Sequence, residues 1–456
     1  MSSHVTRPAS TRAVDRLSFR VLALCWFVVL LDGLDLFVYG GVLPGLLADE
    51  SFGLTPTFGG EIGSFSTFGM LVGALGSGII TDRIGRKKII ITGIVIFSLA
   101  SAACALAPTV TAFGAARFVA GIGLGGLLPV AIAMVMEFAP PKRKAFSVTL
   151  LMTAHQAGGA LAGALAMSLV ESIGWRSVFW LGALPLVIAV PLIWAVLPES
   201  ITFLLARGRT AEATAIARRH DVPLDAFVPE RRSDDRAGLR GLFTPSVRWA
   251  TVLFWIGSFA GLLLVYGVST WLPTMMRGAG YNLGSAISFL IVVNLGGIVG
   301  MLVAGRLADR FGARPVAVIW FLLTAVGVGL LAFHMPLAVT YLVVFLTGSW
   351  LFSAQTLIYA AVGAYYPADS RATALGWVTG IGRLGAVFGP WVGGLLVAAE
   401  AAQWGFAMFA VAGLLGAATV ALIRRPRPAL NTSTPVAADA DPPGGSERRT
   451  TGTSTP

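Results

Sequence analysis

Two carboxylates sit where carboxylates are costly. Asp32 and Asp35 lie three residues apart in an otherwise apolar run over residues 18–41. On a helix that spacing puts them on one face. An ionised carboxylate among apolar residues is unfavourable, and a like-charged neighbour makes the second more so. At least one should bind a proton readily, as a proton-coupled carrier requires, and Asp35, the deeper by the span assignment below, is the stronger candidate. The competing reading is structural: one Asp caps a helix break at Gly33 or pairs with a base. Two bases also fall inside apolar runs, Arg117 and Arg383. Arginine keeps its charge and presents a planar fork matched to a carboxylate. Arg383 lies beside Gly382 and Gly385, which leave room for a ligand. It is read as a substrate clamp, against pairing with a membrane acid or snorkelling to the surface. For Arg117 a structural salt bridge to an Asp of the first run and a coupling role are equally open.

Further polar residues complete a candidate cavity. Tyr39, Tyr266, Asn294, Trp350, Gln355 and Tyr359 fall at mid-run depth, and His155 and Gln156 stand together in a fifth run. Aromatic rings can stack on a ring-shaped substrate; the alternative is interfacial placement or packing between helices. Glu137 ends the fourth run just before Pro140-Pro141-Lys142-Arg143 and reads as a gate residue that pairs with basic loops in an outward-facing state.

The elements that position these residues follow from composition. Of 456 residues, 56% are hydrophobic and 12% charged, whereas soluble domains carry roughly a quarter charged residues. Lipid is the solvent this surface fits. Spans of ~20 residues are expected near 18–41, 61–81, 89–107, 110–134, 146–170, 175–197, 249–272, 285–307, 315–334, 338–361, 373–398 and 402–423. The net charge of +11 falls in short clusters between runs, which argues for membrane orientation rather than nucleic acid. Basic residues fill every second loop, from Arg12, Arg16 and Arg20 through the Arg-rich 200–248 stretch to Arg424 and Arg425. That alternation places both termini in the cytoplasm and requires an even span count. Residues 1–17 then form a cytoplasmic lead, 18–199 and 249–424 two six-helix bundles, 200–248 a cytoplasmic linker, and 425–456 a disordered tail. No cleavable leader is expected, because the first run is long, holds both Asp residues and lacks a clear cleavage site. Cys25 and Cys104 fit buried thiols, not a disulfide framework or a metal set.

One short pattern occurs twice. Gly78-Ile-Ile-Thr-Asp82-Arg83-Ile-Gly85-Arg86-Lys87 follows the second run, and Gly305-Arg-Leu-Ala-Asp309-Arg310-Phe-Gly312-Ala-Arg314 follows the eighth. Recurrence at the matching place in each half indicates duplication. Asp82, Arg83, Gly85, Arg86 and Lys87, with Asp309 and Arg310, read as a gate whose bases pair with acids of the opposite bundle.

On these residues the chain resembles the major facilitator superfamily. The loop motif at Asp82–Lys87 and the helix Arg117-Phe-Val-Ala-Gly121-Ile-Gly123 carry the resemblance, with Pro198-Glu199-Ser200 after the sixth run. It implies an all-α polytopic membrane fold of twelve helices in two pseudo-symmetric bundles. Asp32-Gly33-Leu34-Asp35 resembles the motif of the aromatic acid:proton symporter branch, as do Trp271-Leu272-Pro273-Thr274, Asn294-Leu295-Gly296-Gly297 and Gly382-Arg383-Leu384-Gly385. The branch implies proton-coupled uptake of a benzoate-like or hydroxybenzoate-like carboxylate across a bacterial inner membrane, by a monomer. The energy source would be the proton gradient, with no cofactor and no metal. A sugar or other metabolite symporter and a drug:proton antiporter are the alternatives. No nucleotide loop, metal cluster or nucleophile constellation supports an enzyme.

Overall fold

The computed structural model describes residues 9–140, 143–227, 242–245, 247–366, 368–399 and 401–423. The tail expected over 425–456 lies outside the described residues. The described regular structure is helical, without strands.

The spans are α1 (Ala9–Ala48), α2 (Pro56–Ile84), α3 (Arg86–Leu106), α4 (Val110–Phe138), α5 (Lys144–Leu169) and α6 (Arg176–Val196). After the linker come α7 (Arg248–Gly278), α8 (Leu283–Phe311), α9 (Ala313–Leu330), α10 (Leu337–Tyr365), α11 (Ala368–Ala398) and α12 (Ala402–Leu422). Among the described residues, 11 segments are long and apolar enough to cross a membrane. The twelfth, α5, is 26 residues long; His155, Gln156 and its glycines hold its hydropathy below that of the others. α4 is interrupted at Gly126 and α6 at Leu184, ahead of Pro185. The linker is partly structured: short helices Ile201–Ala206 and Thr210–His220 pack beneath the first bundle.

Packing repeats from half to half. α1 lies on α5, α2 on α4 and α3 on α6; α7 lies on α11, α8 on α10 and α9 on α12. The duplicated sequence is thus a duplicated arrangement. Between halves, α2 meets α11, α5 meets α8, and α1 meets α7.

Those seams are close only toward the end away from the basic loops. A Cβ on Gly40 would stand 2.2 Å from the Ser269 carbonyl oxygen, and one on Gly60 would stand 2.8 Å from the Pro390 carbonyl oxygen. Ser64 donates to the Val387 carbonyl at 2.7 Å, and Arg277 donates to the Pro44 carbonyl at 3.3 Å, both across the seam. Toward the basic loops, Gly76 and Gly78 of α2, Gly305 of α8 and Gly376 and Gly380 of α11 face open space. The close contacts between bundles named here thus fall toward the end away from the basic loops.

Candidate functional site in the middle of the bundle

The two carboxylates of α1 have different surroundings. Asp35 accepts from Arg117 of α4 at 2.8 Å, and both side chains are almost completely buried. Arg117 also donates to the Asp35 carbonyl and to Ser66, each at 3.3 Å. Its guanidinium lies 5.7 Å from the Tyr39 ring and 5.9 Å from the Phe179 ring. The salt bridge weighed for Arg117 is present, to Asp35. It fixes α1 to α4 within the first bundle.

Asp32 is equally buried, at 1% exposure, yet neither of its carboxyl oxygens has a hydrogen-bond partner among the described residues. Its nearest ionisable neighbour is His155 of α5, with Nε2 3.9 Å away. Glycine makes this approach possible. A Cβ on Gly33 would stand 2.1 Å from the His155 carbonyl oxygen, and Gly158 abuts the Leu30 carbonyl in return. Since α1 runs unbroken through Gly33, Asp32 caps no helix break. The His155 ring meets Phe37 edge-on at 5.3 Å.

Arg383 stands halfway along α11, in the other bundle, half-buried and in no ion pair among the described residues. Its charge reaches Asp32 and His155 across the interface, and Tyr266 and Tyr359 beside it. Gln355, one turn before Tyr359 on α10, donates to Ser258 at 3.1 Å, and its own oxygen has no partner among the described residues. Sequence-expected residues from five spans therefore surround one centre: Asp32, His155, Tyr266, Tyr359 and Arg383, with Gln355 behind Tyr359.

Other expected lining residues fall elsewhere. Tyr39 is buried within the first bundle and donates to the Gly59 carbonyl at 2.6 Å. Asn294 is fully buried in the α5–α8 seam, where it donates to the Leu290 carbonyl and its oxygen packs on Gly159. The Asn294 oxygen has no hydrogen-bond partner among the described residues. Gln156 is buried with its carbonyl oxygen unpartnered, and Trp350 is half-buried on α10.

The loop motif pairs differently from the sequence expectation. Arg86 bonds Glu137 and Ser200, both in its own half rather than in the opposite bundle. Glu137 also accepts from the Thr202 amide at 3.0 Å. The Glu199 carboxylate accepts from the backbone amides of Arg86 and Lys87 at 2.9 and 3.1 Å, an acid seated on the N-terminus of α3. Gly85 turns the chain with φ 99° and ψ 161°, and Gly312 does the same in the second half with φ 90° and ψ 145°. That region is open essentially to glycine alone, which is why both copies keep it. Arg83, Asp309 and Arg310 are exposed, and the Asp82 side chain lies outside the described residues. Arg314, not Asp309 or Arg310, ties the second loop down, by donating to the Val420 carbonyl at the end of α12. Glu199 and Ser200 are partners that sequence reasoning quoted without assigning a role. The signal was present: a Glu-Ser pair opening a helix directly after a span.

Twelve helical spans in two equivalent sets of six, joined by matching glycine turns and enclosing buried charges at mid-depth, define an integral membrane protein of the secondary-carrier type. The chain belongs to the Major Facilitator Superfamily, whose model matches residues 25–301 and 285–451. It is 35% identical over 419 residues to a benzoate transport protein of Acinetobacter baylyi, covering 89% of each chain. It is 37% identical over 404 residues to a gentisate transporter of Corynebacterium glutamicum, covering 88% of this chain and 86% of that one. In fold it matches the crystal structure of a D-xylose-proton symporter, with a TM-score of 0.71 at 19% identity, over 88% of this chain and 97% of that one.

Proposed function

We propose that this protein carries an aromatic carboxylate, of the benzoate or hydroxybenzoate class, into the cell together with protons. The observation that carries the reading is the pairing of an unpartnered buried acid on α1 with an unpaired base on α11, one from each bundle. Arg383 supplies the fork for a carboxylate, and Tyr266 and Tyr359 supply rings beside it. The relatives named for benzoate and gentisate transport support the substrate class.

Asp32, rather than Asp35, takes the exchangeable proton. Asp35 has its charge balanced by Arg117, and separating a buried pair leaves an uncompensated charge. Asp32 has no donor to stabilise an anion other than the more distant His155 and the field of Arg383. When substrate is absent, an ionised Asp32 balances Arg383. The arriving carboxylate displaces it, and a proton neutralises Asp32. Cargo and proton thus bind together, and both leave when the bundles rock. The basic loops placed in the cytoplasm and the inter-bundle contacts gathered toward the other end support reading this conformation as the inward-facing, releasing one.

The test is uptake into proteoliposomes of labelled benzoate, gentisate and 4-hydroxybenzoate under an imposed pH gradient. Accumulation of at least one acid, abolished by collapsing the gradient, is expected. Accumulation of xylose with none of the acids would overturn the substrate class.

A further inference from the structure

A second charged site lies apart from the central cluster of Asp32, His155 and Arg383, at the basic-loop end of the first bundle. A cleft of about 430 Å³ opens there, lined among others by Arg20, Lys87, Trp194, Glu199, Arg219 and His220. Three separate parts of the chain supply its four bases: Arg20 from α1, Lys87 from α3, and Arg219 and His220 from the end of the linker helix. None of these side chains has an ion pair within 4 Å among the described residues. Lys87 donates only to the Trp194 carbonyl, at 2.7 Å. The one lining carboxylate, Glu199, is already occupied by the amides of Arg86, Lys87 and Ser200. The positive charges press on one another: His220 is held below its usual pKa, first by burial and then by Arg219 and Arg20.

The bases outnumber the one lining carboxylate, Glu199, and the excess positive charge suits an anion with several acceptor oxygens. We propose that this cleft is a phosphate-binding site, filled by the headgroup of an anionic phospholipid from the adjoining leaflet. Trp194 points to lipid as the source. It stands two residues from the end of α6 and is 65% exposed, the position of an interfacial aromatic anchor. Basic residues beside a span attract anionic headgroups at the cytoplasmic surface. An occupant here would join α1, α3 and the linker helix, and so brace the loop that Gly85 turns. This site is independent of what the central cavity carries.

Thermal unfolding of the purified full-length protein tests it. Phosphatidylglycerol, phosphatidylcholine and, separately, glycerol 1-phosphate are added to wild type, to Arg20→Gln/Arg219→Gln and to Arg306→Gln. Arg20 and Arg219 are exposed, so their replacement leaves the fold intact, and Arg306 is an exposed base on α8 outside the cleft. A ligand that binds only the folded state raises the melting temperature. Phosphatidylglycerol should raise it by several degrees in wild type and Arg306→Gln, and by less than half as much in the double variant, with phosphatidylcholine inert throughout. A shift from glycerol 1-phosphate that disappears in the double variant would keep the phosphate site but assign it a soluble ligand. No shift with either phosphate, or equal shifts in all three proteins, would overturn the proposal.

Discussion

At the scale of single residues, the proposed division of the two α1 acids into a structural Asp35 and a proton-binding Asp32 can be tested by substitution. Asp35→Asn leaves Arg117 charged and unpaired at 1% exposure, a loss of about 3–5 kcal/mol when one partner of a buried pair is removed. The protein should melt at a clearly lower temperature and be recovered in lower yield. Asp32→Asn removes no bond and should leave the melting temperature nearly unchanged. It should abolish accumulation in a pH gradient, because an amide exchanges no proton, while counterflow of preloaded substrate persists. Stable Asp35→Asn protein alongside a gradient-driven Asp32→Asn would reverse the two roles. Arg383 belongs to the same scale. Lys keeps its charge and loses the fork, so Arg383→Lys should weaken benzoate binding less than Arg383→Ala. The latter should cost about 2 kcal/mol or more, roughly thirty-fold in Kd. The neutral benzamide should bind poorly to wild type; if acid and amide bind wild type and Arg383→Ala alike, no clamp exists.

At the scale of elements, the loop between α2 and α3 is a turn that glycine makes possible and acids from elsewhere hold. Gly85→Ala would place a methyl group at φ 99° and 2.3 Å from the Glu199 carboxylate. Backbone strain of that kind costs about 1–3 kcal/mol, with the displaced Glu199 cap added to it. A lower melting temperature and a slower transport rate should appear together; an unchanged protein would show that the turn relaxes freely. What was legible in the sequence follows the range of the interaction. Apolar runs are local, so most spans emerged within a few residues of their ends, although α1 (Ala9–Ala48) outruns the expected 18–41 at both ends and α5 is diluted by His155 and Gln156. The repeated glycines were legible because each half records the same backbone need. Partners were not. Arg117 reaches Asp35 across 82 residues, and the Arg86 amide reaches Glu199 across 113. No spacing rule ranks Asp32 against Asp35 until α4 and α5 are laid beside α1. For the same reason the partners of Tyr39 and Asn294, the Gly59 and Leu290 carbonyls, were not legible: depth along a helix is readable, but which neighbour a helix face meets is not.

At the scale of the whole molecule, the carrier is asymmetric across the membrane, and the asymmetry can be read chemically. The far end is sealed where backbones touch, at Gly40 against Ser269 and Gly60 against Pro390, with Ser64 hydrogen-bonded to Val387. The basic-loop end is open around Gly376 and Gly380. Both native cysteines are buried, so they give little background to a thiol reagent. In Gly380→Cys, a membrane-impermeant maleimide should react quickly in inside-out vesicles and slowly in right-side-out ones. Ser64→Ala removes a hydrogen bond across the closed seam, a neutral bond worth about 1 kcal/mol. If that bond holds the outer end shut, the variant shifts population toward the outward-open form by roughly five-fold. Gly380→Cys in that background should then label more slowly from the inside. Substrate supplied from outside should slow it further only if the outward-open form binds cargo more tightly, since a ligand shifts an equilibrium by no more than its differential affinity. Rapid labelling of Gly380→Cys from the outer face alone would place the basic loops outside and invert the topology.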